Sequence, residues 1–348
     1  VAKKRSYKKK SNKKWSVFLS IPLLVLVILT IYSAWFFAQT VALKKTIDIT
    51  IQDKSISKTI QLLEQKGIID SPYPFLVIAE LYGIFLNKHC AIGEYRILPT
   101  LTHGQLLKLI FSGKQSYTVN VSFPEGIQVK KIASICAQQL GIDSSKFIEL
   151  ASNDSLLKYH HIKGISLEGY LMPDTYNFYW KQNPHEIISK LLAVQSSFWN
   201  ELCSEKAHKQ SLNKHQILTL ASIIEAEAIV DEERPIISGV YHNRLKKGMN
   251  LAADPTVQYA LGKSKRLLYS DLKIDSPYNT YRFSGLPPGP INCPSRKSIL
   301  AAIQPSKHQY YFFVALGDGS GKHVFSETAI QHMKAVQSYR KQRQLNNQ

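Results

Sequence analysis

The chain begins polar and basic, then turns abruptly apolar. Residues 16–38 read SVFLSIPLLVLVILTIYSAWFFA, and no charge occurs between Lys14 and Lys44. About 20 apolar residues cross a bilayer core of roughly 30 Å, so this run predicts a transmembrane helix. Trp15 at one end and Tyr32, Trp35 and Phe36 near the other suit interfacial anchors. A cleaved signal peptide has a shorter core of roughly 7–15 residues and a small-residue exit. The exit here, AWFFAQT, is bulky, so an uncleaved anchor is expected.

After the anchor the pattern becomes that of a folded protein. Residues 45–52 (KTIDITIQ) alternate as a half-buried strand does. A helix over 57–66 closes at Gly67, and 72–86 predicts a second, rather buried helix. GEYRIL (93–98) reads as a strand. The helix over 102–113 has capping-box spacing at Thr102 and Gln105 and stops at Gly113. Residues 45–115 therefore predict one small module. The segment 39–48 offers no long apolar face, so a fragment 45–348 is expected to keep its folded parts and its activity. SYTVNVSF (116–123) opens a second region, with helices near 128–140, 144–152 and 184–206.

Within 215–260, Ile217, Leu218, Ala221, Ile224 and Ala228 recur at helical spacing. The stretch ASIIEAEA (221–228) sets two glutamates on that helix. Glu225 and Glu227 fall on opposite edges of the apolar stripe, roughly 80° to either side at ~100° per residue. Periodicity does not choose between them. A helix ending in VYHNRLKKGM stops at Gly248. The loop 276–294 holds five prolines, two glycines and three aromatics, which predicts a rigid, shaped segment. A short helix (295–303), a strand (309–316) and a last helix (326–341) follow, with a frayed polar end at 342–348. The fold class expected is α+β. It comprises a cytoplasmic tail (1–15), a single N-terminal transmembrane helix (16–38), a small module (45–115) and a larger mixed α/β domain (116–341).

The formal charge is +19, and the first 14 residues carry eight lysines and arginines without an acid. By the positive-inside rule that tail stays in the cytoplasm and everything after about residue 40 lies outside. The tail is then accounted for by orienting the anchor and touching anionic lipid, and no nucleic-acid partner is needed. The remaining +11 suits an anionic partner, or solubility alone.

Cys90, Cys136, Cys203 and Cys293 form no CxxC pair, so they read as buried or incidental thiols. LGDGSGKH (316–323) lacks the first glycine and the hydroxyl of a phosphate-binding loop, and a glycine-rich hairpin or turn explains it better. Ser55 and Lys58 have the S-x-x-K spacing without its companion motifs. No H-E-x-x-H occurs. Neither cofactor nor metal is expected.

Several long motifs appear in one order: LEGYLMPDTY (167–176), LASIIEAEA, ERP, VYHNRLKKGMNLAADPTVQYALG, SPYNTYRFSGLPPGPINCP and YYFFVALGDGSGKHVFSET. This set resembles the YceG-like endolytic murein transglycosylases over about residues 45–340. The resemblance implies a lyase that cuts nascent peptidoglycan strands between N-acetylmuramic acid and N-acetylglucosamine. It implies a 1,6-anhydro end, terminated strand elongation, and a catalytic domain outside the inner (cytoplasmic) membrane. It also implies a LysM-like first module, and cell-wall synthases and division proteins as candidate partners. The family's catalytic glutamate corresponds to Glu225. The family often has Lys-Glu after it, where this chain has Ala226–Glu227, and Cys293 stands where Ala, Gly or Asn is common.

Glycoside cleavage usually takes two carboxylates. In a lytic reaction the sugar's own C6 hydroxyl attacks, so one group can serve as acid and then as base. Such an acid needs a pKa lifted towards ~6–7, which burial among Leu218, Ala221 and Ile224 would favour. Asn243, Asp254, Tyr278 and Asn279, from the recognised motifs, are candidates for holding substrate or supporting charge at the anomeric carbon. Glu227 is expected to be a bystander, solvated or paired with Arg234 or Arg244. The competing readings are a hydrolase, drawing a second carboxylate from Glu227, Asp254 or Asp318, and a non-catalytic peptidoglycan-binding scaffold.

Overall fold

The computed structural model describes residues 13–91, 93–112, 118–207, 211–263 and 266–346, without the side chains of 13–21 and 345–346. Residues 1–12 of the basic tail and the stop at Gly113 lie outside the described residues. The chain divides into two compact units between residues 117 and 118.

The first unit comprises α1 (Lys13–Ala38), β1 (Ile47–Ile51), α2 (Ile56–Gln65), α3 (Pro72–Leu86), β2 (Gly93–Ile97) and α4 (His103–Ser112). β1 and β2 pair antiparallel, with Ile49 opposite Tyr95. The alternation in β1 buries Ile49 and Ile51 and exposes Asp48 and Thr50. The capping box before α4 is formed: Thr102 N–H donates to Gln105 Oε1 at 2.9 Å and Gln105 N–H to Thr102 Oγ1 at 3.2 Å.

α3 departs from expectation. Phe75, Ala79 and Gly83 are buried, but Tyr73, Val77, Leu81, Ile84 and Phe85 are exposed. Its apolar residues run all round, and the small unit covers only one stripe of them.

In α1, Leu23, Leu24, Leu26, Ile28, Leu29 and Ile31 are each more than half exposed. Among the described residues, no helix is long and apolar enough to cross a membrane. The described side chains of α1 begin at Pro22, so those of 16–21, the rest of the apolar run, lie outside them.

The far end of α1 belongs to the core of the first unit. Phe36 is 4% exposed and packs on Phe75 at 5.3 Å and His103 at 4.7 Å. Val41 is equally buried, and its N–H donates to Leu101 O at 2.9 Å. His103 N–H donates to Gln39 O at 2.7 Å. Residues 36–42 are thus part of the module, contrary to the expected boundary at 45.

The second unit runs β3 (Thr118–Ser122), α5 (Val129–Leu140), α6 (Ser144–Ala151), α7 (Asp154–Tyr159), β4 (Thr175–Tyr179), α8 (Pro184–Phe198), α9 (Ser204–Ala207), α10 (Lys214–Glu227), α11 (Arg234–Lys247), α12 (Asp254–Leu261), α13 (Arg296–Ile303), β5 (Phe312–Ala315), β6 (His323–Ser326) and α14 (Ala329–Asn346). A π-helical turn, Trp199–Cys203, joins α8 to α9. β3 pairs antiparallel with β4, and β5 with β6. The β5–β6 connection is the glycine-rich hairpin, with Gly317, Gly319 and Gly321 all at positive φ. α14 extends to Asn346, into the polar stretch expected to fray, and residues 347–348 lie outside the described residues.

α10 is the central helix. Ile217, Leu218, Leu220, Ala221, Ile223 and Ile224 are all fully buried. A helix buried on every side has no stripe and no edge, which is why periodicity could not separate its two glutamates. An Asn213–Gln216 capping box starts it.

Candidate active site

The proline-rich loop runs alongside α10 and is pinned to it at three levels. His215 Nε2 meets Pro288 O at 2.7 Å. Ile291 N–H donates to Ser222 Oγ at 3.0 Å, and Asn292 Nδ2 to Ser222 O at 2.9 Å. At the last turn, Ser295 reaches Glu225: its backbone N–H donates to Oε2 at 2.9 Å and its hydroxyl to the same oxygen at 2.5 Å. The shaped loop expected at 276–294 therefore acts as a brace along the helix that carries both glutamates.

Arg234, at the start of α11, adds a third contact to that oxygen, Nη1 to Oε2 at 3.3 Å. Both side chains are almost sealed, at 7% exposure for Arg234 and 6% for Glu225. Arg234 is itself held by Asp231 at 2.9 Å and by Ser298 Oγ at 2.6 Å. Asp231 also binds Lys297; Lys297 first and Arg234 next keep its carboxyl below the usual range. Gly126 closes the other side, and a Cβ there would sit 3.4 Å from Glu225 Cγ. Its φ of +72° is a second reason for glycine.

The described partners of Glu225 all address Oε2. Oε1 has no described partner. The surroundings differ from the aliphatic pocket expected: Leu218, Ala221 and Ile224 are in the core, while the carboxyl meets a guanidinium and two hydrogen-bond donors.

Glu227 belongs to a separate cluster. Tyr241 OH donates to its Oε1 at 3.3 Å. Burial chiefly, and then the charge of Asp254, push its carboxyl up to about 7, against the opposing effects of Tyr241 and Arg244. Asp254 accepts from Tyr281 OH at 2.5 Å. Of the partners expected for Glu227, Arg234 pairs with Glu225 instead, and Arg244 acts on the Glu227 carboxyl by its charge.

The other sequence candidates do not meet at Glu225. Asn243 Nδ2 donates to His308 O at 2.9 Å and Tyr310 O at 3.0 Å, tying α11 to the chain before β5. Asn279 is fully buried, with Nδ2 on Leu272 O and Ile274 O, so it organises its own loop. Tyr278 packs on Tyr259 at 4.9 Å. Asp254 is exposed and lies by Glu227. Asp318 sits in the hairpin turn, bonded to Ser320.

Sequence reasoning missed Ser295 and Glu168. Glu168 is buried; it accepts from Val129 N–H at 3.1 Å and from Cys293 Sγ–H at 3.8 Å, and burial lifts its carboxyl to about 7. Its place in LEGYLMPDTY was the available signal, but no spacing shows that it will be buried.

The chain as a whole resembles known proteins. The YceG-like family model matches residues 49–338. An endolytic murein transglycosylase of Bacillus subtilis (strain 168) is 34% identical over 315 residues, covering 85% of each chain. A protein of the same name from Streptococcus pneumoniae (strain D39) is 28% identical over 285 residues. That match covers 73% of this chain and 51% of the pneumococcal protein, so the chain spans about half of that relative. A crystal structure of a YceG-like protein from Listeria monocytogenes superposes with a TM-score of 0.58 at 32% identity, over 84% of this chain and 99% of that one. The chain belongs to the YceG-like family. Its named relatives are lytic transglycosylases, which are lyases, and this is its enzyme class.

Proposed function

We propose that the protein is a membrane-anchored endolytic lyase of peptidoglycan, with Glu225 as its acid and then its base. The observation that carries this reading is the asymmetry of the Glu225 carboxyl. Three contacts hold Oε2, while no partner is described for Oε1. A carboxyl fixed through one oxygen can hand a proton to a bound glycoside and receive one back.

In the reaction, Glu225 protonates the oxygen leaving towards N-acetylglucosamine as its bond to the muramic C1 breaks. The muramic C6 hydroxyl then bonds to C1 and gives its proton to Glu225. No water is consumed, and the product carries a 1,6-anhydro end.

A second reading rests on Glu227, whose carboxyl lies at about 7 beside Asp254. Such a pair suits a hydrolase acid with a second carboxylate. Product mass separates the two, because an anhydro end is one water lighter than a reducing end. Mass spectrometry of muropeptides released from purified sacculi tests the proposal. Anhydro ends support the lyase, and reducing ends alone overturn it.

Anchoring by α1 is supported by the uncharged run 16–38, the cationic tail before it and the exposed leucines and isoleucines of the helix. On this reading residues 1–14 lie in the cytoplasm and everything after about residue 40 outside. Full protection of the body from protease in spheroplasts would sink that topology. A LysM-like role for the first unit is supported by its strand–helix–helix–strand order.

A further inference from the structure

At the N-terminal end of α10 lies a cavity of about 360 Å³, bounded by residues 160–163, α8, the π-helical turn and the start of α10. Its described wall holds Lys163, Lys214, His160, His161 and His215, and no Asp or Glu. Lys214 is half-buried, and the partner described for its ammonium group is the ring of Trp199 at 5.1 Å. Burial lowers its pKa, with Cys203 opposing. A cation placed so would be stabilised by an anion in the cavity.

An independent observation points the same way. Gln195, also in this wall, is 2% exposed, and its Nε2 has no hydrogen-bond partner. Buried donors are rarely left unmade unless something else fills the role. The turn Trp199–Cys203 is π-helical, a rare geometry that recurs at functional sites. The helix end adds the positive pole of α10. Asn213 and Gln216 cap that end themselves, so Lys214 is left for a ligand. Leu192, Ile162 and Tyr170 give the cavity an apolar side.

The position relates the cavity to Glu225. Ten residues separate His215 from Glu225, about 15 Å along α10. The cavity shares Asn213 and His215 with a neighbouring concavity lined by residues 285–288. From Pro288 the brace follows α10 to Ser295 and Glu225. We propose that this cavity binds the terminal carboxylate of a peptide carried on the glycan strand, so that the enzyme grips its substrate at both ends of one helix. The identity of the ligand rests on the proposed peptidoglycan substrate; the anion chemistry rests on the cavity itself.

The test is calorimetric titration of the full chain in detergent, carrying Glu225→Gln to prevent cutting. The probes are an acetylmuramoyl peptide with a free C-terminal carboxylate, its C-terminal amide, and inorganic phosphate. The free acid should bind, and the amide at least tenfold more weakly. Lys163→Gln and Lys214→Gln should each weaken the acid at least threefold. Lys163 is exposed, so its variant carries the test if Lys214→Gln fails to fold. Equal binding of acid and amide, no effect of Lys163→Gln, or binding of phosphate without the peptide would each overturn the proposal. Cutting by the unsubstituted chain is assayed separately. Acid-selective binding without any cutting counts against the lyase and in favour of the cavity.

Discussion

Ser295 addresses a single oxygen of Glu225 twice, through its backbone N–H at 2.9 Å and its hydroxyl at 2.5 Å. The same hydroxyl accepts from Ser298 N–H at 3.2 Å and so caps α13. One side chain thus joins the end of the proline-rich loop, the start of a helix and the proposed acid. The carboxyl cannot swing without breaking contacts to two other elements.

Ser295→Ala should separate these duties. Loss of the cap is expected to cost about 1 kcal/mol of stability. Loss of a hydrogen bond to a carboxyl is worth roughly 1.5–3 kcal/mol, so turnover should fall on the order of tenfold to a hundredfold. Steady-state kinetics on glycan strands and a thermal melt measure both. Unchanged turnover would show that the hydroxyl does not position Glu225.

Arg234 is nearly sealed among Glu225, Asp231 and Ser298. Arg234→Met strands the Glu225 carboxyl without its cation, and removing one partner of a buried pair costs roughly 3–5 kcal/mol. Arg234→Met with Glu225→Gln should cost clearly less than the sum of the single changes. Urea denaturation of all four proteins gives the coupling. Simple additivity would mean that the pair contributes nothing.

Glu168 and Glu227 both have carboxyls raised to about 7 in the folded chain, each chiefly by burial. The folded state therefore holds these protons after the unfolded chain has lost them. Stability should be greatest below about pH 4.5 for these two groups and decline as pH rises to about 7. Glu227→Gln should flatten part of that decline, and Glu168→Gln another part. Denaturation midpoints at pH 4.5, 6 and 8 measure the slope. A wild-type slope in both variants would remove these carboxyls as its cause.

The fragment 45–348 should be less stable than one beginning at residue 35. It lacks Phe36 and Val41, each 4% exposed in the core of the first unit. Burying a phenylalanine or valine side chain is worth about 1.5–3 kcal/mol apiece. Thermal melts of the two fragments compare them directly. Identical melting would mean that the end of α1 is dispensable.

The sequence disclosed some of this and concealed the rest for physical reasons. The alternation of β1, the capping box at Thr102 and Gln105, and the glycine-rich hairpin are written in residues a few positions apart, so local pattern sufficed. The exposed face of α3 was not legible, because an apolar helix does not say how much of itself its unit can cover. Glu225 and Glu227 were visible, but their partners are distant in sequence. Ser295 lies 70 residues from Glu225, and nothing local marks it. Asn243 and Asn279 came from motifs, where a residue that shapes a loop looks the same as one that touches substrate.

The most direct measurement compares Glu225→Gln and Glu227→Gln side by side, by mass spectrometry of the glycan ends released from sacculi, with circular dichroism as the fold control. Glutamine keeps the size and hydrogen bonding of each side chain but cannot donate a carboxyl proton. General acid–base catalysis supplies roughly 10²–10⁴-fold in rate, so Glu225→Gln should lose at least that much anhydro-ended product. Glu227→Gln should stay close to normal. Near-normal release of anhydro ends by Glu225→Gln, with Glu227→Gln inactive and folded, would contradict the assignment of Glu225 as the acid.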